Sequence, residues 1–248
     1  MTTALGFLLG RVRSREGQLL ALAELNRADF AAESFEEFEN KLNQDFALLR
    51  QDLFQDSAVA KIFWRRYDYH NLKFLLKEKL TDQNFNRYIL PYAKNKLADF
   101  DRSLVMRAED IYAQTQDFCQ MDYFIDQEYL RELQTLARKH DRHVQAYAQA
   151  LSAVFEYKRN YNPETALETL RAKFPGLELP ENPDEGAIEK ALEDYANQQL
   201  FAGRYGCNAT TVLCFLQAKE NEIKNLKTMY LSRRRELDLQ GFLRWSYA

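Results

Sequence analysis

A short polar signature occurs twice in this chain, each time inside a segment that is otherwise apolar. The first copy, residues 68–73, reads DYHNLK, and the second, residues 222–227, reads EIKNLK. Each copy places an acid three positions before an Asn, and residues three apart share one face of an α-helix. We therefore expect a duplicated helical unit, with polar positions Asp68, Asn71 and Lys73 in one copy and Glu222, Asn225 and Lys227 in the other.

The paired acid and Asn have two interpretations. In the first, they face a cavity or a partner surface. In the second, they form hydrogen bonds with neighbouring helix ends or side chains and fix the helix register, as a buried Asn does in a coiled coil. A buried carboxylate without a partner costs several kcal/mol, so either interpretation requires pairing. We favour the structural one.

The rest of the chain predicts an all-α fold. Only 8 Gly and 5 Pro are present, and β-branched residues never alternate over a useful length. Ser34, with Glu37 three positions later, has the spacing of a helix-capping box. Residues 174–186 hold three of the five Pro and two of the eight Gly, which is typical of a linker. Helices are expected over 35–49, 59–80, 97–117, 127–140 and 143–159, with a new start at 162–164 and a last helix from about 208 past 235.

Composition and charge narrow the range of functions. The net charge of −3 and the pI near 5.8 give no overall footprint for nucleic acid or for an anionic membrane. The apolar run at residues 5–10 is too short to span a bilayer, so we expect no transmembrane segment in this chain. Phosphate-binding glycine loops are absent, and we expect no cofactor. Cys207 and Cys214 are too far apart for a typical zinc pair, so buried thiols are expected rather than a metal site.

Candidate catalytic groups are few. His70 lies next to the first signature, but no Ser or Cys nucleophile stands at a useful spacing. His140 and His143 straddle a predicted helix junction, where a solvated group at a helix end is favoured over a metal ligand. The basic cluster Arg233, Arg234 and Arg235 either stabilises the end of the last helix or docks onto an acidic partner. The acidic stretch 178–194 is expected to be a solvated linker or a surface for a basic partner.

Four segments together resemble a known family. Residues 64–80, WRRYDYHNLKFLLKEKL, resemble the D-x-H-N-L-K-x-L-L helix of the connector subunit of V-type and A-type rotary ATPases. This subunit is called C in bacteria and archaea and d in eukaryotes. Residues 212–231, VLCFLQAKENEIKNLKTMYL, are similar to its Y-L-x-A-K-E-x-E-I-K-N-L-R helix. Residues 11–13 resemble its A-R-V-R segment, and residues 124–130 resemble its middle aromatic-acidic helix.

The resemblance implies an architecture and a role without chemistry. It implies three similar helical units, approximately 1–100, 101–160 and 161–248, arranged around a pseudo-threefold axis into a funnel. The middle unit departs from the pattern, because Ser152 or a neighbour stands where an Asn is expected. In the family, the subunit sits on the cytoplasmic face of the membrane proteolipid ring and receives the end of the central axle.

Residue roles follow from the same resemblance. The implied partners are the D- and F-type axle subunits and the proteolipid ring, and the implied function is to couple ATP turnover to proton or sodium movement without catalysis. The signature residues, with His70, then act as structural or interaction positions, and Arg233 to Arg235 are docking candidates.

Two other functions are compatible with the sequence. The chain is alternatively a stand-alone helical-repeat scaffold, since duplicated helices also build such proteins. It is otherwise a helical enzyme that uses His70 with Asp68 or His143, which requires a closed pocket with converging titratable groups.

Overall fold

The structure, a computed structural model, describes residues 2–19, 34–54, 58–159, 163–178, 185–206, 208–236 and 243–244. Within these ranges the regular structure is helical throughout, with no β-strand. The all-α prediction is therefore confirmed. Its α-helices are α1 Thr2–Glu16, α2 Phe35–Phe54, α3 Ala58–Thr81, α4 Arg102–Thr115, α5 Phe118–Ala137, α6 Arg142–Arg159, α7 Pro163–Lys173, α8 Glu185–Phe201 and α9 Ala209–Arg235, and two short 3-10 helices cover Asn86–Tyr88 and Leu97–Asp99.

Most predicted helix starts agree with the structure, and the reason is local chemistry. Helix α2 begins directly after Ser34, and α7 begins at Pro163, whose missing N–H is tolerated in a first turn. Helix α9 begins after Asn208, whose side chain accepts a hydrogen bond from the backbone N–H of Thr210 at 3.1 Å.

Two helix boundaries differ from the prediction because Asp residues cap the helices elsewhere. Helix α4 starts at residue 102 rather than 97, since Asp101 accepts hydrogen bonds from the backbone N–H groups of Ser103 and Leu104 at 2.8 and 3.2 Å. Helix α5 starts at residue 118 rather than 127. Its first turn is capped by Asp117, which accepts a hydrogen bond from the Cys119 N–H at 2.7 Å.

The acidic stretch is only partly a linker. From Glu185 onward it is helix α8, so Glu189, Glu193 and Asp194 lie on a regular helix. Lys190 pairs with Asp194 one turn later at 2.6 Å, which offsets part of the negative charge. The remainder of the predicted linker, residues 179–184, lies outside the described residues.

The chain divides into two compact units. Residues 36–136 form one, called here the continuous unit, and residues 1–35 with 137–248 form the other, called here the split unit. This division follows different boundaries from the three units expected from the resemblance. The threefold arrangement stays a prediction.

An aromatic core joins α2 to α3 in the continuous unit. Phe46 of α2 contacts the rings of Phe63 and Trp64 at centroid distances of 6.0 and 4.9 Å. Tyr92 closes the cluster against Phe46 and Tyr67, both at 5.0 Å. Edge-to-face and tilted pairs of this kind add about 0.5–1.5 kcal/mol each beyond the area they bury. The segment after α3 is thereby packed back onto the helix pair.

A ladder of ion pairs joins α3 to α5 in the same unit. The pairs step down one helix as they step up the other, so the two helices are antiparallel. Tyr69 lies in this row, where burial and the Glu132 carboxylate raise the pKa of its phenol, which stays protonated and donates to Glu132 at 3.0 Å. The ion pairs are Arg65–Glu132 at 2.9 Å, Lys73–Asp126 at 2.6 Å and Lys77–Asp122 at 2.7 Å.

Helix α9 is the core of the split unit. From Ala209 to Ala218 every side chain is buried, and burial continues with few interruptions to Tyr230. Helices α1 and α8 pack on α9, and α6 packs on α8. A helix buried on all sides needs internal partners for its polar groups, and Gln217 accepts a hydrogen bond from the Tyr147 hydroxyl of α6 at 2.7 Å.

Candidate functional site

Asn71 lies near the middle of α3 and is fully buried. Its side-chain oxygen accepts from the backbone N–H of Leu90 at 2.8 Å. Its side-chain NH2 donates to the carbonyls of Leu90 at 2.9 Å and Lys94 at 3.0 Å. One amide therefore satisfies three backbone groups of the returning segment. We call this arrangement the first clamp.

Asp68 supports the same segment one helical turn earlier. Its carboxylate is bound by the two terminal guanidinium nitrogens of Arg50 in α2, at 3.0 and 3.3 Å, with Arg65 at 3.6 Å. It also accepts from the backbone N–H of Lys94 at 3.0 Å, and Arg50 in turn donates to the Tyr92 carbonyl. Since the charge of Asp68 is buried, this two-pronged pairing is what makes its position tolerable.

Asn225 forms the same type of clamp in α9. It too is fully buried near the middle of its helix. Its oxygen accepts from the backbone N–H of Arg244 at 2.6 Å, and its NH2 donates to the carbonyl of Arg244 at 3.0 Å. The clamped residue follows the Asn by 19 positions, as Leu90 follows Asn71 by 19. The repeated signature thus corresponds to a repeated contact, in which an Asn side chain imitates a paired peptide group.

The acid of the second copy is used differently in its described contacts. Glu222 is buried, and Lys219, one turn earlier on α9, contacts its carboxylate. Arg244 is bound at its side chain by Glu193 of α8 at 2.8 Å, and Glu193 also lies 4.0 Å from Lys224. Lys227, the last signature position, is half-buried on α9.

Ser152 stands in the middle of the chain at the position where the resemblance leads us to expect a third Asn. Ser152 is buried in α6, and its hydroxyl donates to the carbonyl of Ala148 in the same helix at 2.9 Å. The departure of the middle segment from the sequence pattern thus falls on a buried position of α6.

His70 and Lys73, the other first-copy candidates, have separate partners. The Nε2 of His70 lies 3.1 Å from the Tyr88 carbonyl, and burial lowers the pKa of the ring. Lys73 pairs with Asp126 in the ion-pair ladder. Asp68 faces Arg50 instead, so the hydrogen bonds given for Asp68 and His70 do not join them into an acid–base pair.

The His140–His143 junction is a meeting point of two helix starts. Asp141 caps α6 by accepting from the backbone N–H groups of His143 and Val144 at 3.0 and 3.3 Å. Its other oxygen accepts from the Asn208 side chain at 3.0 Å and from the Thr210 hydroxyl. The expectation of a solvated helix-ending group is therefore wrong for His143, whose ring is half-buried with Nδ1 3.0 Å from the Gln199 carbonyl.

The basic cluster occupies the last turn of α9. Arg233, Arg234 and Arg235 are exposed, and the Arg234 guanidinium lies 5.5 Å from the centre of the Tyr230 ring. The helix ends at Glu236, which adopts the left-handed conformation with φ 53°. Three cations at a helix C-terminus interact favourably with the helix dipole.

The cysteines do not behave alike. Cys214 is buried in α9, its thiol lies 3.2 Å from the Leu200 carbonyl, and burial raises its pKa. Cys119 is exposed, and Cys207 lies outside the described residues. Across the described ranges, no three His, Cys, Asp or Glu side chains are grouped so as to hold a metal ion. Within the same ranges, no helix combines the length and apolar character needed to cross a bilayer.

Several partners of the signature could not be read from the chain. Arg50, Leu90 and Lys94 do not belong to any recognisable motif. Leu90 and Lys94 are bound through their backbone groups and not through their side chains. One sequence signal was present, because an aromatic-aliphatic pair, Tyr88-Ile89 or Phe242-Leu243, directly precedes each clamped residue.

The chain matches no protein-family model and no curated protein.

Proposed function

We propose that this chain is a non-catalytic connector of a rotary ATPase of the V or A type, linking the central axle to the membrane proteolipid ring. The proposal rests on the family resemblance of the two signature helices. The observation that carries it is the pair of clamps, in which Asn71 and Asn225 each bind a backbone segment 19 residues further on. A part that transmits torque must be stiff, and buried amide clamps fix the returning segments against their helices.

The finer architecture belongs to the same proposal. Three helical units form a funnel around a pseudo-threefold axis, and the axle end, built of D- and F-type subunits, enters it. The chain works at the cytoplasmic face of the membrane and moves with the rotor during proton or sodium transport or ATP synthesis. The exposed cations at 233–235 dock onto acidic groups of a partner subunit.

Recovery of the intact complex tests this directly. The full chain, tagged in its source cell, is isolated in mild detergent and its companions are identified. We expect stoichiometric axle and proteolipid subunits. Recovery of the chain alone or with unrelated proteins contradicts the proposal and favours a stand-alone helical scaffold. A chromosomal position away from genes for other rotary ATPase subunits points the same way.

Coupling provides a second test. An Asn71→Leu or Asn225→Leu change should loosen the clamped segment and reduce ion pumping before it abolishes ATP hydrolysis. The matched control is Asn95→Leu, because Asn95 is exposed in the same loop region as Leu90. Pumping that stays unchanged in a stable Asn71→Leu/Asn225→Leu protein would refute the role of the clamps in coupling.

A further inference from the structure

The turn between α5 and α6 carries three cations against one acid and is therefore net positive. Arg138, Lys139 and Arg142 are exposed, and none of them forms a salt bridge with any residue that the structure describes. The acid within this turn, Asp141, is already occupied by the N–H groups of α6 and by Asn208. The positive charge of the turn therefore faces solvent.

The loop between α8 and α9 lies beside this turn. Asp141 holds Asn208 at 3.0 Å, and a methyl group on Gly203 would lie only 2.9 Å from the His143 ring. The loop exposes Tyr205, which is 76% accessible, and the Arg204 guanidinium stacks 4.5 Å from the centre of that ring. An amphipathic ring and a further cation thus adjoin the basic turn.

The backbone of this loop is held by hydrogen bonds from side chains of α1 and α9. Arg13 of α1 donates to the Arg204 carbonyl at 2.9 Å, and the Thr211 hydroxyl donates to the Gly206 carbonyl. The exposed Tyr205 is therefore attached to a fixed backbone, and little backbone conformational entropy is lost when its ring is bound.

We propose that this basic end of the split unit, comprising the turn 138–142 and the loop 202–206, binds the headgroups of an anionic lipid surface. Cations near such a surface attract it by about 1 kcal/mol each, and Tyr favours the boundary between headgroups and acyl chains. An acidic protein is the other possible occupant. The lipid surface fits better, because cations with an adjoining exposed Tyr are typical of membrane interfaces.

This inference goes beyond the connector function and does not depend on it. It also qualifies the expectation drawn from the net charge of −3, which averages this end with the acidic residues elsewhere. The cluster at 233–235 lies at the other end of α9, roughly 39 Å away at 1.5 Å per residue. The two basic surfaces are therefore distinct and can be tested against each other.

Vesicle sedimentation with the purified full chain is the test. The probes are vesicles of phosphatidylcholine alone and of phosphatidylcholine mixed with phosphatidylserine. We expect binding only to the mixed vesicles, weakening as salt is raised. The variant Arg138→Gln/Lys139→Gln/Arg142→Gln should bind about a hundredfold more weakly, which is about fivefold for each charge removed.

The control removes the same charge at the other end of the helix. Arg233→Gln/Arg234→Gln/Arg235→Gln should keep wild-type vesicle binding. All six side chains are exposed, so both variants should stay folded at the assay temperature, which circular dichroism checks. If the 138–142 triple variant fails to fold, the single changes Arg138→Gln and Arg142→Gln replace it, each with an expected fivefold loss. If the control fails to fold, Arg233→Gln and Arg235→Gln replace it, with no expected loss.

Three results would overturn the inference. The first is an absence of wild-type binding to the mixed vesicles, which leaves an acidic protein as the candidate occupant. The second is equal loss in the two triple variants, which indicates general charge attraction. The third is undiminished binding by the 138–142 variant. Since no axle or ring subunit is present, each result is independent of the connector proposal.

Discussion

Replacing Asn71 with Leu tests the clamp most directly, because Leu keeps a similar volume and removes every hydrogen bond. The change strands the N–H of Leu90 and the carbonyls of Leu90 and Lys94. A buried polar group that loses its partner costs about 1–3 kcal/mol. Leu90 and Lys94 are half-buried and regain some water, so the lower value applies to each group. The sum is about 3 kcal/mol of unfolding free energy.

The equivalent change at Asn225 should cost less. Asn225 makes two hydrogen bonds, both to the backbone of Arg244. The same reasoning gives about 2 kcal/mol for Asn225→Leu. The order of the two losses follows from the number of bonds alone, since both Asn side chains are fully buried.

Thermal unfolding followed by circular dichroism measures both changes. A loss of about 3 kcal/mol in a chain of this length lowers the midpoint by roughly 6–12 °C. Urea unfolding of the same variants separates a change in stability from a change in the exposed surface, through the midpoint and the slope. Asn95→Leu is the matched control and should melt within about 2 °C of wild type, as surface changes do.

A second substitution separates hydrogen bonding from size. Asn71→Asp keeps the shape and still accepts from the Leu90 N–H, but an ionised carboxylate faces two carbonyls that need donors. It should destabilise at neutral pH at least as much as Leu, and recover partly in acid, where the protonated side chain donates once. An Asn71→Leu protein that melts with the Asn95→Leu control would refute the clamp reasoning.

Three further outcomes follow from other contacts. Gly203→Ala should lower the melting midpoint, because the added methyl group would lie 2.5 Å from Thr210 Cγ2, and Ala202→Ser, one residue earlier and exposed, should leave it unchanged. In a Cys207→Ala background, Ellman's reagent should modify the exposed Cys119 quickly and the buried Cys214 only on unfolding. Rapid modification of both thiols in the folded protein would contradict the packing of α9. Burial lowers the pKa of His70 in the folded chain, so the unfolded state binds the proton more readily and the free energy of unfolding falls as the pH drops below about 6.5. In urea titrations below that pH, a His70→Gln protein should lose less of its free energy of unfolding than the wild type, and an equal loss would count against this reasoning.

The sequence predicted most of the helix starts that it named, and the reasons are local. The boundary at residue 34, the start at Pro163 and the cap at Asn208 depend on chemistry within a few residues. The late prediction for α5 shows where such reasoning stops. Asp117 begins that helix nine residues earlier than the apolar pattern suggested, because a cap and packing against α3 decide the start, whereas the pattern registers only the buried stripe.

The candidate site was predictable only from one side. Asp68 and Asn71 stand out because acid and amide side chains are unusual in an apolar stripe. Their partners are backbone groups of Leu90 and Lys94, which look the same in every sequence. Arg50 is one of many cations in the chain, and nothing in its neighbourhood marks it as the partner of a buried acid. Contacts made by the backbone leave almost no trace in residue type.

The use of Asn rather than Leu at the two clamp positions is itself informative. An apolar side chain would stabilise the contact between a helix and its returning segment at many registers. An amide that binds one peptide group loses its hydrogen bonds at every other register. Each clamp therefore gives up some stability against a well-packed apolar core and fixes where the returning segment lies. A scaffold that adapts to several partners gains little from this. A part that must hold one geometry under load gains a defined position for the segment, which is why the clamps favour the connector over a stand-alone scaffold.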